Sequence, residues 1–581
     1  MSFGDVRLAN YLLEWGYQYL GGSALSDSIW SPPLFFPEPN VLAYSDTLFT
    51  AYPFYFAARS LGASPHASLL FFQVVQLWLT PLVGYACARW LGLGRLAAFT
   101  CAATFGWSWA RYFQTEHVQF AMGSLVPLYF ALCYRGICDR RAAWLGAALW
   151  TFVAAFFLSV YIACFLAVLT AIMSAAVALS RRRTLRRDLR ALGSGLAAAS
   201  RRGELAATCG AALVAIALLA WGADHYRAAA RALGGADPQD AITYGASLRG
   251  WLRPAPGNLV WGGFADSIPP DATAPWEKHS YIGWAALLVC LLTPVLLSRR
   301  NASRWIRSRS GAPLVDRSTL VGAALVVPFV ILFISDHPQH LDWLELPMRW
   351  VRGHVPGANA IRASGRICLV LSFLSSFVAA TWVQLLAGAP RRLAALGSGA
   401  LAALLVLENL APTPPVADRC PDDRPWQEIS APICELARSR GAGTAVFLPA
   451  ELTSLERIFS QVPAATLALG CGLRSVNGYV GHLPPRLQPI FAADPAVLPC
   501  DALAQALDAA QARLREPALI YVEEQGPLGA PQYGVGAVPE CLRSCIADPT
   551  PAPIAGGTRS GVAWTTDPGR RCAADPRPAS R

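Results

Sequence analysis

AAWLGAALWTFVAAFFLSVYIACFLAVLTAIMSAAVAL, residues 142–179, runs for nearly forty positions without a charged side chain. About 20 helical residues cross a bilayer core, so the run reads as two spans joined by a tight bend, expected near Ser159-Val160-Tyr161. Arg135, Arg140 and Arg141 precede it, and a densely basic run from Arg181 to Arg202 follows it.

The same reading extends along the chain. Spans are expected at about 67–88, 95–110, 118–134, 204–222, 281–298, 320–335, 363–387 and 393–411. With the hairpin counted as two, that makes about ten. Basic links fall at 89–95, 135–141, 181–203, 299–319 and 391–392, and ten spans put all of them on one face, as the positive-inside rule requires of a cytoplasmic side. The opposite face receives residues 1–66, 111–117, the bend near Tyr161, 223–279, 336–362 and everything after about 412. The expected organisation is therefore an outer segment 1–66, a transmembrane helical domain 67–411 and an outer C-terminal domain 412–581.

Composition agrees. The chain is 54% hydrophobic and 15% charged, with a mean hydropathy of +0.37, against about a quarter charged in soluble domains. The net charge of +11 comes from arginines clustered between apolar segments, which argues for membrane orientation and against nucleic acid. Lys278 is the single lysine among many arginines, a bias that fits a GC-rich bacterial genome.

Residues 412–581 are polar and proline-rich. Thr444–Leu448 and Ala518–Val522 read as buried strands and Asp501–Arg515 as an Ala-rich helix, so a small α/β domain is expected, with a loose tail after about 565. Seven cysteines lie here: Cys420, Cys434, Cys471, Cys500, Cys541, Cys545 and Cys572. In an extracytoplasmic domain some would form disulfides, with one left over and no pairing readable. The eight from Cys87 to Cys368 read as small core hydrophobes.

The first residues show neither a basic n-region nor an apolar h-region. An outer segment of this length needs something to carry it across, so the reading expects one more helix ahead of Met1. Its alternative is a cytoplasmic 1–66, with a first apolar pair that does not span.

Ionisable groups on the outer face are few, and each is a functional candidate. Asp5, in GDVRLANY (4–11), is a potential base or metal ligand, or else a helix N-cap. Glu116-His117 offers a carboxylate and an imidazole side by side, or else a solvated turn. Two acidic sites on separate outer loops can share a divalent cation, or divide base and electrostatic roles. Arg362 and Arg366, four apart and therefore on one helical face at the outer end of a span, suit a lipid phosphate, or else snorkel at the interface. Arg349, Arg352 and His354 add charge to that loop, and Arg249 and Arg253 belong to a short amphipathic helix. Glu277-Lys278-His279 reads as a substrate or metal site, or as a salt-bridged helix start. Trp251, Trp261, Trp276 and Trp284 read as an aromatic belt or as sugar-stacking surfaces. No Walker loop, strand-borne GxGxxG, HExxH or GxSxG occurs.

Asp5 with Asn10 and Trp15, followed by FFPEPNVLAYSD (35–46), resembles the first periplasmic loop of bacterial GT-C superfamily membrane glycosyltransferases and their many multi-spanning relatives. EHVQ (116–119), Glu277 to Gly283, IRASGR (361–366) and NGYVGH (477–482) resemble the same group, in short and degenerate motifs. The resemblance implies a GT-C-like, all-α polytopic fold with a small periplasmic α/β domain, in the bacterial inner membrane. It further implies transfer of a sugar from a polyprenyl-phosphate donor to an acceptor on the periplasmic face. Asp5 would be catalytic base or metal ligand and Glu116 the second acid. His117, Arg362, Arg366, Glu277 and Asp46 would bind substrate, and a divalent cation (Mg or Mn), if used, would sit on Asp5, Glu116 and His117. The rival readings are a transporter or flippase of lipid-linked sugars, which predicts charges buried inside spans and two similar halves, and a non-catalytic membrane scaffold.

Overall fold

A computed structural model describes residues 3–114, 117–182, 184–201, 203–234, 243–271, 275–298, 315–336, 350–351, 354, 361–388, 392–410, 424–448, 454–479, 483–491, 500–525, 542–548, 550, 552–556 and 559–572. The chain divides into two units. One comprises Phe49–Ala223 and Gly235–Ala417; the other gathers Met1–Leu48, Asp224–Gly234 and Asp418–Arg581.

The first unit is helical. Among the described residues, six helices of the chain are long and apolar enough to cross a membrane: Pro65–Trp90, Val118–Cys138, Val160–Ser180, Glu204–Ala232, Arg317–Ile334 and Ser364–Ala387. Ala142–Leu158, Trp284–Leu297 and Arg392–Leu407 are shorter apolar helices. Arg95–Gly106 has 12 residues, about 18 Å at 1.5 Å per residue, less than the hydrocarbon core of about 30 Å. It would need the following turn, Trp109–Phe113, to complete a crossing. The long apolar run breaks at Ser159, which is extended between Ala142–Leu158 and Val160–Ser180.

Large apolar side chains cover the outside of these helices, Leu70, Phe71, Val74, Leu77 and Trp78 on one of them. In water such a face would be an aggregation surface; against lipid tails it costs nothing. The helix Cys368–Ala387 is the reverse case. Nearly all its positions are buried, because Arg95–Gly106, Trp284–Ser298, Arg317–Ile334 and Arg392–Leu407 pack around it. Side-chain caps fix several starts: Ser64 accepts from the Ala67 amide at 3.2 Å, and Asp316 from the Ser318 and Thr319 amides at 3.0 and 3.2 Å, each satisfying orphan N–H groups.

The two ends of this bundle are distinct. At one end the Arg181 guanidinium meets Asp316 at 2.5 Å, the Asp316 amide donates to the Tyr134 hydroxyl at 3.1 Å, Arg135 lies 5.6 Å from the Trp90 ring centre, and Gln384 accepts from the Gly94 amide at 2.5 Å. This is the end of the basic links. At the other, the starts of Val118–Cys138, Val160–Ser180, Trp284–Ser298 and Ser364–Ala387 come together. There β1 (Ala246–Ser247) and β2 (Ser335–Asp336) form a two-residue parallel pair.

The second unit holds a five-stranded sheet in the order β4-β3-β5-β7-β6. Its strands are β3 (Thr444–Leu448), β4 (Arg474–Ser475), β5 (Ala518–Gln525), β6 (Ala552–Gly556) and β7 (Arg559–Thr565). β3 runs parallel to β4 and β5, and β7 is antiparallel to β5 and β6. The helices Arg424–Ser439 and Ser454–Gly470 supply Trp426, Ile429, Ile433 and Ala468 to a core shared with Phe447, Leu519 and Tyr521. Among the described residues two disulfides, Cys434–Cys471 and Cys545–Cys572, staple this unit. The free cysteines among the described residues run from Cys87 to Cys368.

Residues 1–48 belong to this same unit, where the sequence reading set 1–66 apart from 412–581. Beyond the two-residue strand β4, the Ser475 amide donates to the Pro33 carbonyl and Phe36 donates back to Ser475, both at 2.8 Å, while Phe35 donates to the Asn477 carbonyl at 3.1 Å. Arg474 Nε donates to the Leu25 carbonyl at 2.9 Å. The helix Phe3–Leu20 packs on Ser454–Gly470. A sheet edge that would otherwise be open is thus covered by chain from the N-terminus.

Candidate functional site

In the helical unit, three sequence candidates converge. Arg366 Nε donates to Glu277 Oε2 at 3.0 Å and Arg366 Nη2 to Oε1 at 2.7 Å. Nη2 also lies 2.6 Å from His117 Nε2, which is 3.5 Å from Glu277 Oε1. An arginine nitrogen only donates, so in this contact Nε2 accepts. All three side chains are buried. Phe120 and Tyr161 bracket the guanidinium, their ring centres 5.2 and 5.3 Å from Cζ, a cation–π arrangement strengthened by the dry setting.

Local folding explains why these residues meet. Glu277 lies on the turn Pro275–Lys278, directly before the helix Trp284–Ser298, and Arg366 on the 3-10 turn Ser364–Ile367 that opens Cys368–Ala387. The Ser280 hydroxyl donates to the Gly365 carbonyl at 3.1 Å, its amide to the Gly250 carbonyl at 3.0 Å, and the Ala246 amide to Ser364 Oγ at 3.0 Å. A Cβ on Gly365 would stand 2.6 Å from Ser280 Oγ, so the close approach needs glycine there.

Burial alone would push the Glu277 carboxyl up. The Arg366 charge and the hydrogen bonds around it override that and hold it well below the usual carboxylate range. Glu277 therefore serves as a fixed counter-charge and not as a base. Arg111, on the turn Trp109–Phe113, donates from Nη2 to the Phe120 and Ala121 carbonyls at 2.8 and 3.0 Å. Its guanidinium packs where a side chain on Gly123 would sit. Arg111 thus ties down the segment that carries His117 and Phe120. Beside the pair, burial and the charge of Arg253 push His279 down to about 3.

Other expected residues fall elsewhere. Arg362 precedes the turn that begins at Ser364, so it shares no helical face with Arg366; its guanidinium lies 5.0 Å from the Tyr244 ring centre. His354 is exposed. Glu116, Arg349, Arg352 and His482 lie outside the described residues. Trp251 is fully buried, which suits neither a belt nor sugar stacking, while Trp261 Nε1 donates to Glu408 Oε2 at 3.0 Å and Trp284 Nε1 to the Leu252 carbonyl at 2.8 Å.

Glu408 and Asn258 are absent from the sequence reading. The Glu408 carboxylate accepts from the Ala285 and Ala286 amides at 2.9 and 3.1 Å, capping Trp284–Ser298 from a distant part of the chain, and Asn258 Nδ2 donates to the Glu408 carbonyl at 2.6 Å. A carboxylate inside the apolar run 393–411 was the available signal.

In the other unit, Asp5 lies in the first turn of Phe3–Leu20, inside the helix and not at its N-cap, where a carboxylate favours the dipole. It accepts from the Tyr479 hydroxyl at 3.4 Å. Tyr479 is positioned by Asn477, which accepts from the Phe447 amide at 2.6 Å and donates to the Phe447 carbonyl and Gln461. Asp46 is half-buried beyond the turn Val41–Tyr44.

Among the described residues no three His, Cys, Asp or Glu side chains gather to hold a metal ion. His117 does not fit a metal through Nε2: that lone pair accepts from Arg366, whose charge would repel a cation. No protein-family model and no curated protein matches the chain.

Proposed function

We propose that the protein is a GT-C-type membrane glycosyltransferase of the bacterial inner membrane, moving a sugar from a polyprenyl-phosphate donor to an acceptor on the periplasmic face. The buried Arg366–Glu277–His117 cluster, at the end of the bundle opposite the basic links, is the observation that carries this reading. In it the chain crosses the membrane ten times, with Arg95–Phe113 as the crossing that breaks. The disulfides support the side assigned: they form in oxidising compartments, and the unit they staple also contains Asp5 and the end of Glu204–Ala232.

Asp5 takes the acceptor hydroxyl proton as the acceptor oxygen bonds to the sugar's anomeric carbon and the bond from that carbon to the phosphate oxygen breaks. Arg366, held by Glu277 and His117, supplies the lasting positive charge that a lipid phosphate calls for. Glu116 is the second acid of the proposal.

The test pairs topology with turnover. Cysteines at Ser2, Thr115 and Ser430 should label from the periplasm of intact cells while one at Ser308 does not. Asp5→Asn should cost at least about 100-fold in transfer from a polyprenyl-phosphate-linked sugar, with an unchanged melting temperature. Labelling of Ser2 only after lysis, or wild-type turnover by Asp5→Asn, sinks the proposal. The rival is a flippase of lipid-linked sugars, for which Arg366, a charge buried in the opening turn of Ser364–Ala387, is the nearest support. Donor movement across vesicles without an acceptor would select that reading.

A further inference from the structure

The helix Leu185–Arg201 stands apart from the spans. Its sequence LRRDLRALGSGLAAASR is amphipathic and on average polar. At helical spacing Leu185, Leu189, Leu192 and Leu196 fall on one stripe, and Arg186, Arg190 and Arg201 on another, with Arg187 beside it. Arg186, Arg187 and Arg190 are exposed, as are Arg140, Arg141 and Arg182 nearby in the basic links. Gly195 packs directly on Arg140, where a side chain would collide.

Its tethers decide where it lies. The spanning helix Val160–Ser180 ends four residues before it and Glu204–Ala232 begins three residues after its end. At no more than about 3.5 Å per residue, links this short cannot carry a 17-residue helix off the membrane surface. A helix with a leucine stripe and an arginine stripe, held in that plane, has the form of an interfacial anchor. Eight arginines between 181 and 202 exceed what orienting two spans needs.

We propose that this surface, Arg186, Arg187 and Arg190 with Arg140 and Arg182, is a docking site for anionic phospholipid headgroups of the leaflet at the basic end of the bundle. Charge complementarity commits it to acidic lipid, and the tethers exclude any partner distant from the bilayer. The proposal is independent of the transfer reaction and holds whether the protein is an enzyme, a flippase or a scaffold.

The test uses the full-length protein in neutral detergent, titrated with phosphatidylglycerol or phosphatidylcholine, with retained lipids counted by native mass spectrometry. Wild type should keep phosphatidylglycerol at least tenfold over phosphatidylcholine, and the preference should shrink between about 50 and 500 mM NaCl. Each arginine near an acidic surface is worth about fivefold, so R186Q/R187Q/R190Q should lose at least a factor of ten while R186K/R187K/R190K keeps the preference. No preference in wild type overturns the proposal, whatever the variants do. So does a glutamine variant that melts normally and binds as wild type.

Discussion

Arg366 and Glu277, 89 residues apart, meet through two parallel N–H···O bonds of 3.0 and 2.7 Å inside the helical unit. A buried pair is costly to break from one side because the surviving charge is left without compensation. Glu277→Gln should destabilise the detergent-solubilised protein by about 3–5 kcal/mol, and Glu277→Leu with Arg366→Met should recover most of that. Chemical denaturation of the two variants is the check. A single variant as stable as wild type would mean the pair contributes nothing.

The same region makes stability depend on pH with one sign. Glu277 has a folded pKa held below its unfolded value, so its contribution is present above about pH 4.3 and is lost as pH falls below that. His279 is pushed down to about 3 by burial and by Arg253, so the unfolded chain binds its proton first. Its contribution is complete above about pH 6.5, and by pH 5 about 2 kcal/mol is lost. Melting temperature should therefore fall steadily from pH 7 to pH 4, and His279→Gln should flatten the upper part of that slope.

Glu408 receives the Trp261 indole and two main-chain amides at the start of Trp284–Ser298. Glu408→Ala strands these donors and should cost about 1–3 kcal/mol, with a shift in tryptophan emission from Trp261; Glu408→Gln, which keeps an acceptor, should cost less. Gly283 has φ +97°, and a Cβ there would stand 2.5 Å from Glu408 Oε1. Gly283→Ala should therefore reproduce the loss through strain and collision together.

Buried deep in Pro65–Trp90, Gln76 has neither amide atom hydrogen-bonded among the described residues. An unsatisfied buried amide costs about 1–3 kcal/mol, so Gln76→Leu should raise the melting temperature. A fall instead would show that the amide meets a polar partner in the membrane.

The disulfide Cys434–Cys471 closes a span of 37 residues, for which loop-closure entropy gives about 3–4 kcal/mol. Replacing both by serine should lower the stability of the α/β unit by that order, read by proteolysis of the 418–581 region. Reduction of the wild-type protein, which also opens Cys545–Cys572, should lower it further.

Much of the helical unit was legible because its signal is a length: apolar runs near ~20 residues and basic links between them. The bend at Ser159 followed from a run twice too long. Pairing was not legible. Glu277, His117 and Arg366 each stood out as ionisable groups near span ends, but nothing local says which distant charge a residue meets. Arg362 and Arg366 were grouped by spacing alone, and spacing decides a face only where both residues are helical. The union of residues 1–48 with the C-terminal sheet was invisible for a similar reason. β4 has two residues, too few for an alternation pattern, and the chain covering it beyond Pro33 carries no strand signature.

That union ties the α/β unit to the order of synthesis. About 370 residues separate Leu48 from Asp418, roughly 20–75 s of translation at 5–20 residues per second. Throughout that interval the helix Phe3–Leu20 and the edge-covering segment at Pro33–Phe36 have no sheet to join. They wait while every intervening helix is made, so a nascent-chain chaperone, or a ribosome stalled anywhere before the last segment, would find these N-terminal segments still unassembled.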